Sequence, residues 1–312
     1  MMIEKPEIVR WRYDYLSKII KLREERRKIY YLDETWLNEG HTKSKVWQDL
    51  SIQSTREARR EGLSTGLKAP SGKGKRLIIL HIGSEDGFLN GGELIFASKK
   101  GEGDYHQEMN AKMFEEWFSK ILKKIEPNSI IVMDNAPYHS RRLERIPSMI
   151  WLKSDIQKWL TEKGIPFQPS MLKRNLIDLV KPEKYKYMAY VIDTHAEKNN
   201  IEVLRLPPYH CELNPIEMIW GQVKGYVAGK NTTFKMADLK KLLEEALQLI
   251  TPAAWQKCIN HVIKEEKKMA ELDHITDMVA DKFIIQVTED STSSDCSSSE
   301  SEVNDSLNIS DF

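Results

Sequence analysis

The chain has 312 residues, 40% hydrophobic and 30% charged, and its 47 Lys and Arg balance 47 Asp and Glu. That is enough for a sizeable core, yet no stretch has the apolar length of a membrane span, and MMIEKPEIVRWRYDYL lacks the features of a secretory signal. Cys211, Cys258 and Cys296 form no CxxC pair, which argues against a disulfide framework or structural zinc and sets the expectation of a reduced intracellular compartment.

Residues 5–28 read as one helix, charged toward its end, followed by a strand in KIYYLDET. Residues 40–74 are polar, with Gly, Ser and Lys throughout, as in a long loop or hairpin. RLIILHIG (76–83) and GELIFAS (92–98) read as an antiparallel pair joined through Gly87 and Gly91-Gly92. Next, Met109, Met113, Trp117, Ile121 and Ile125 recur every fourth residue, the pattern of an amphipathic helix with an aromatic core face.

Ile130, Ile131, Val132 and Met133 form an unbroken apolar run, as in a strand buried on both faces. It stops at Asp134-Asn135, and Pro137 blocks simple continuation. Residues 141–199 read as helical and irregular, with breaks at Pro147, Gly164-Ile165-Pro166, Pro169 and Pro182. IEVLRL (201–206) is a further strand, and helices follow over 214–228, 235–249 and 252–273. No internal repeat is found. From about residue 286 the composition collapses to Ser, Asp and Glu, which does not bury enough apolar surface to order itself. This tail holds seven acids and no Lys or Arg, leaving the body 47 basic against 40 acidic residues. A moderately basic body suits a polyanion partner without proving one.

The order of elements predicts an α/β fold: a mixed sheet in which an antiparallel hairpin adjoins parallel strands, with helices on both faces. Three carboxylates stand out within it. Asp33 and Asp134 end strands, and ligands of open α/β sheets bind beyond the carboxyl ends of strands. Glu217 lies at the start of a helix, in NPIEMIW. If the two strands are neighbours, their acids converge at one rim, and a helix across that rim adds Glu217. Hard oxygen ligands of this kind suit Mg²⁺ or Mn²⁺. Two such ions activate a water or 3′-hydroxyl toward a phosphodiester.

Each acid also has an ordinary reading. Asp134-Asn135 are turn formers. Asp33-Glu34 reads as a solvated strand end, where alternation lets only one of the pair face a site. Glu217 falls at the capping-box position behind Asn214 and Pro215. Against this, Glu217, Gly221 and Lys224 share a stripe beside the apolar face of their helix, and Gly221 leaves room for close approach. The chain contains no GxxxxGK[ST] or HExxH motif.

The blocks YLDETW, GKGKRLIILHIG with GFLNGGELIF, VMDNAPYHS and LRLPPYHCELNPIEMIWGQVK resemble, in that order, the catalytic domain of mariner-type DDE transposases, the DDE superfamily endonucleases. The resemblance covers roughly residues 28–270. It implies an RNase H-like fold binding two Mg²⁺ or Mn²⁺ ions through Asp33, Asp134 and Glu217. It also implies cleavage and strand transfer of double-stranded DNA, that is transposition and integration, by a homodimer in the nucleus. Asn135, Tyr138 and His139 follow the second acid as in the family's motif; with Lys224 they are expected behind the ligands or against DNA.

The expected organisation is an N-terminal helix (1–27), a catalytic domain (28–285) with a helical insertion at 141–199, and a tail (286–312) open to phosphorylation. The 82 residues between Asp134 and Glu217 exceed the few tens usual in the family, so the insertion is expected outside the catalytic rim. Within it, SDIQKWLTEKGIPFQPSMLKRNLIDLV is similar to the helix–loop–helix of SAP-type DNA-binding motifs, with a structural cover over the sheet as the alternative. The family carries helix-turn-helix domains ahead of its catalytic domain, whereas one helix precedes Asp33, so the chain reads as truncated or domesticated. His210 and Cys211 stand where relatives often carry Ser and Pro. Two further readings stay open: a non-enzymatic DNA- or chromatin-binding protein that keeps the fold, and a nuclease acting on RNA or hybrids.

Overall fold

A six-stranded mixed sheet organises the computed structural model, which describes residues 5–43, 54–60, 62, 70–98 and 109–282. In chain order its strands are β1 (Ile29–Asn38), β2 (Arg76–Ser84), β3 (Gly87–Phe88), β4 (Leu94–Ala97), β5 (Ile130–Met133) and β6 (Glu202–Arg205). They lie in the order β3-β2-β1-β5-β6, with β4 also on β2. The β2 pairings with β1, β3 and β4 are antiparallel, whereas β1–β5 and β5–β6 are parallel. The predicted hairpin beside parallel strands is therefore present. All four residues of β5 are buried, as its continuous apolar run requires.

The helices are α1 (Pro6–Glu24), α2 (Thr55–Arg60), α3 (Ala111–Leu122), α4 (Lys153–Glu162), α5 (Lys173–Glu183), α6 (Val191–Glu197), α7 (Pro215–Lys230), α8 (Met236–Leu249) and α9 (Pro252–Lys282). Alternation along the strands splits the core in two. Tyr31, Leu37, Leu77, Ile79, Ile130 and Val132 pack with side chains of α1, α7, α8 and α9. Tyr30, Leu32, Ile78, Leu80, Ile131 and Met133 pack with α3 and α6. Helix α1 lies flat through a stripe of Ile8, Arg12, Tyr15, Leu16, Ile19 and Leu22. Its buried Arg12 reaches both oxygens of Asp273, at 2.9 and 2.5 Å, and Arg23 pairs with the buried Glu266, so the charges in this interface are matched.

Residues 141–199 divide into two parts. Helix α6 belongs to the sheet, burying Ile192 and Ala196 on the α3 side. Helices α4 and α5 instead share a separate small core of Ile156, Trp159, Leu160, Leu176 and Val180. The excursion closes at its base, where Leu143 N–H donates to Ala189 O and Val191 N–H to Arg141 O. Contrary to the sequence reading, there is a short repeat here. Helices α4 and α5 begin twenty residues apart, each behind an exposed leucine, Leu152 or Leu172, with almost identical backbone angles. Ile156 and Leu160 in one helix match Leu176 and Val180 in the other. Pro182 does not break α5; it sits in the last turn, and the chain tightens into a 3₁₀ turn at Lys184–Tyr187. The polar 40–74 stretch contains α2, and α9 runs past the expected end at 273. The Ser-rich tail lies outside the described residues.

Candidate active site

Parallel pairing sets the site. Tyr31 stands level with Val132, so the same register carried two residues further puts Asp33 level with Asp134. Tyr31 and Val132 belong to the α7 side of the sheet, and period-two alternation places both acids there. Helix α7 is anchored at the same rim: Asn214 Nδ2 donates to Leu32 O at 3.3 Å, one residue before Asp33. Glu217 follows in the first turn of α7. The three predicted acids thus line one cavity of about 200 Å³, together with Asn135, Asn214 and the segment Leu206–Cys211.

The capping-box reading of Glu217 fails on its hydrogen bonds. Asn214 makes no side-chain cap, and its N–H donates to Cys211 O at 2.9 Å rather than to the Glu217 carboxylate. Four residues on, Gly221 keeps the α7 surface open, because a Cβ there would meet nothing within 4 Å.

Charge is concentrated at this rim. Burial pushes Asp33 well above the usual carboxylate range, and the negative fields of Glu217, Glu34 and Asp134 push it further. Glu217 is also raised, by burial first and by Asp134, with Lys224 opposing. Lys224 is lowered by burial against the pull of Glu217 and Asp33; its ammonium lies 5.0 Å from the Trp36 ring centre. It therefore sits near the acids while packing on an aromatic face. The Cys211 thiol is held up by burial and then by Glu217, which keeps it protonated and a poor nucleophile.

Behind Asp134 lies a charged chain that sequence reasoning did not assemble. His139 Nδ1 is 2.6 Å from Asp134 Oδ1, and its Nε2 is 2.9 Å from Glu34 Oε1. Burial alone would lower the imidazole, but Glu34 and Asp134 outweigh it and hold it at about 9. Both nitrogens then donate. Alternation explains the division of labour at Asp33-Glu34: Asp33 faces α7 and the cavity, while Glu34 points to the α3 side and reaches His139. A buried acid inside an apolar strand was the available signal. Asn135 Nδ2 donates to Leu206 O at 2.7 Å, tying the ends of β5 and β6 together.

Tyr138 is only 5% exposed and packs toward Phe114, so it backs the site instead of reaching toward DNA. His139, 1% exposed, is likewise out of reach of a polymer. Sequence reasoning also passed over Tyr209. It is 58% exposed on the cavity wall and holds a φ of +67°, a left-handed backbone that bulky residues rarely adopt.

The donor chemistry fits hard divalent cations: three carboxylates surround one cavity, and the buried Asn214 Oδ1 in its wall has no hydrogen-bond donor. Among the described residues no three Asp, Glu, His or Cys side chains are close enough together to hold a metal ion. Like charges around one rim repel, and Asp134 Oδ1 is turned to His139 and to Ala136 N–H, at 2.6 and 3.0 Å. The three acids line one cavity without being drawn together into such a group.

The family model of the DDE superfamily endonuclease matches residues 90–240. No curated protein matches the chain. Among solved structures, the Mos1 transposase paired-end complex with left transposon end and the Mos1 mariner paired end complex with Mn are similar, each with a TM-score of 0.53 at 16% identity. The mariner Mos1 paired end complex with Mg gives 0.51 at 16% identity. In all three the match covers 86% of this chain and 63% of the other, so the chain spans under two thirds of their length. At that identity the likeness is one of fold. Residues 90–240 carry the pattern of the DDE superfamily endonucleases, and the chain has the RNase H-like fold of the mariner-type DDE transposases.

Proposed function

We propose that this chain is the catalytic part of a metal-dependent enzyme that cuts DNA and joins the freed 3′-hydroxyl to a second DNA strand. One observation carries the reading: Asp33, Asp134 and Glu217, from β1, β5 and α7, line a single cavity. Divalent cations, two Mg²⁺ or Mn²⁺ by analogy with the family, would be held by these carboxylates and would acidify the attacking hydroxyl and offset charge on the phosphodiester. The similar Mos1 structures are described as transposon-end complexes with Mn or Mg, which supports DNA as substrate and those ions as partners.

The chain's own residues supply the rest. Asp33 and Glu217 bring negative charge to a partly enclosed rim, so a cation there gains more than it would from exposed acids. Asn214 locks the start of α7 to β1 and thereby fixes Glu217 against Asp33. Lys224, held on Trp36 beside Glu217, supplies a positive charge next to the cavity for a DNA phosphate. The test is cleavage and joining of duplex DNA with Mg²⁺ or Mn²⁺. Asp33→Asn and Glu217→Gln lose about a hundredfold or more while melting as folded proteins. Variants as active as the parent chain would refute the site.

A further inference from the structure

The proposed function leaves one buried charged group unexplained. Glu34 lies on the apolar α3 side of the sheet with its side chain 2% exposed, two residues from Leu32, which fills the same face with hydrocarbon. A carboxylate there is costly unless it is paired. Its partner is His139 Nε2 at 2.9 Å, and the opposite ring nitrogen meets Asp134 Oδ1 at 2.6 Å. We infer that Glu34 and His139 form a buried strut that fixes the Asp134 carboxylate for cation binding, and that both are positioning residues. This rests on the reading of Asp134 as a metal-binding carboxylate.

The strut is held at His139 and at Asp134. The imidazole is wedged between Phe114 and Tyr138, with ring centres 4.2 and 4.5 Å away. Its backbone carbonyl accepts from Arg205 Nη2 at 2.9 Å, and Arg205 Nη1 reaches Ser140 Oγ at 3.2 Å. Asp134 Oδ1 accepts from both the imidazole and Ala136 N–H, so rotating the carboxylate breaks two bonds at once. Glu34 sits on β1 beside Asp33, while His139 follows Asp134 from β5. The strut therefore ties the middle of β1, next to Asp33, to the chain just past β5, on the face opposite α7. Groups behind metal ligands act in this way, setting the orientation and basicity of the ligand.

The test uses the full chain and Mn²⁺ alone, with affinity measured by calorimetry and electron paramagnetic resonance and fold by thermal melting. His139→Gln and Glu34→Ala are expected to bind Mn²⁺ about 10- to 100-fold more weakly while remaining folded. Glu34→Gln keeps an acceptor oxygen facing Nε2 and recovers most of that affinity. A purely structural role would lower the melting temperature without moving the affinity of the folded protein. Should Glu34→Ala fail to fold, His139→Gln decides. Parental affinity in His139→Gln, with binding lost in Asp134→Asn, overturns the strut and spares the site. Parental affinity in Asp134→Asn overturns the site reading and the strut with it.

Discussion

At the rim of the sheet, the decisive contacts join residues far apart in the chain: Glu34 to His139, Leu32 to Asn214, Asn135 to Leu206. In the α4–α5 pair, Ile156, Trp159, Leu160, Leu176 and Val180 pack among themselves, assembled from two similar helices in succession. The rim thus depends on the whole sheet being correct, whereas the pair carries its own small core. At the base of the excursion, Arg205 of β6 holds Asp193 of α6 at 2.8 Å and the backbone of His139 at 2.9 Å. A site whose ligands come from three distant segments tolerates insertion between two of them if the inserted chain closes on itself.

This contrast is open to direct attack. The largest effect is expected for Asp33→Asn and Glu217→Gln, which remove Mg²⁺- or Mn²⁺-dependent cleavage by about a hundredfold or more, read as a single-turnover rate. Next comes Trp220→Ala in α7, a side chain 1% exposed in the main core. It should cost about 3–5 kcal/mol in global stability by denaturant titration and weaken Mn²⁺ binding too, because Glu217 rides on the same helix. Trp159→Ala in α4 sharpens the comparison: amide exchange should speed up in α4 and α5 while Mn²⁺ affinity stays at the parental value. Loss of Mn²⁺ binding in that variant would show that the two regions are not independent.

A smaller effect concerns acid. His81 is buried on β2 and burial pushes its imidazole down to about 3, so the folded chain keeps it neutral. Unfolded, it titrates near 6.5. Its contribution to stability is therefore complete above about pH 6.5 and is lost as pH falls toward about 3, because the unfolded chain binds the extra proton. Comparing melting against pH for His81→Gln and the parent, the slope between pH 6.5 and 4 should fall by up to about one proton. The smallest shift is a gain. Asp33→Asn in the presence of chelator should melt a few degrees higher, by about 1 kcal/mol, since it removes one of several like charges facing the cavity. An unchanged or lower melting point would mean that the acids do not strain one another.

Much of the sheet was legible because strand signals here are local. The apolar run Ile130–Met133 broke at Asp134, as β5 does, whereas β1 does not stop at Asp33 as KIYYLDET suggested: it runs on to Asn38 along β2, and only its pairing with β5 ends before Asp33. What remained hidden was tertiary. Parity alone permitted either Asp33 or Glu34 to face the cavity, and only the burial of Leu32 and Tyr31 on opposite sides decides it. Glu217 taken alone read first as a cap, but Asn214 bonds to Leu32 and makes no side-chain cap. The motif left Tyr138 either behind the ligands or against DNA, and its packing against Phe114 puts it behind them. The α4–α5 repeat escaped notice because its equivalent positions share burial more than identity: Trp151 with Met171, Asp155 with Asn175, Ile156 with Leu176.

The central claim is that Asp33, Asp134 and Glu217 jointly bind divalent cations, and a calorimetric titration of the full chain with Mn²⁺ tests it most directly. The account predicts two Mn²⁺ ions per chain, with binding weakened in each of Asp33→Asn, Asp134→Asn and Glu217→Gln. A parent chain that takes up no Mn²⁺, or three variants that bind it as the parent does, would contradict it.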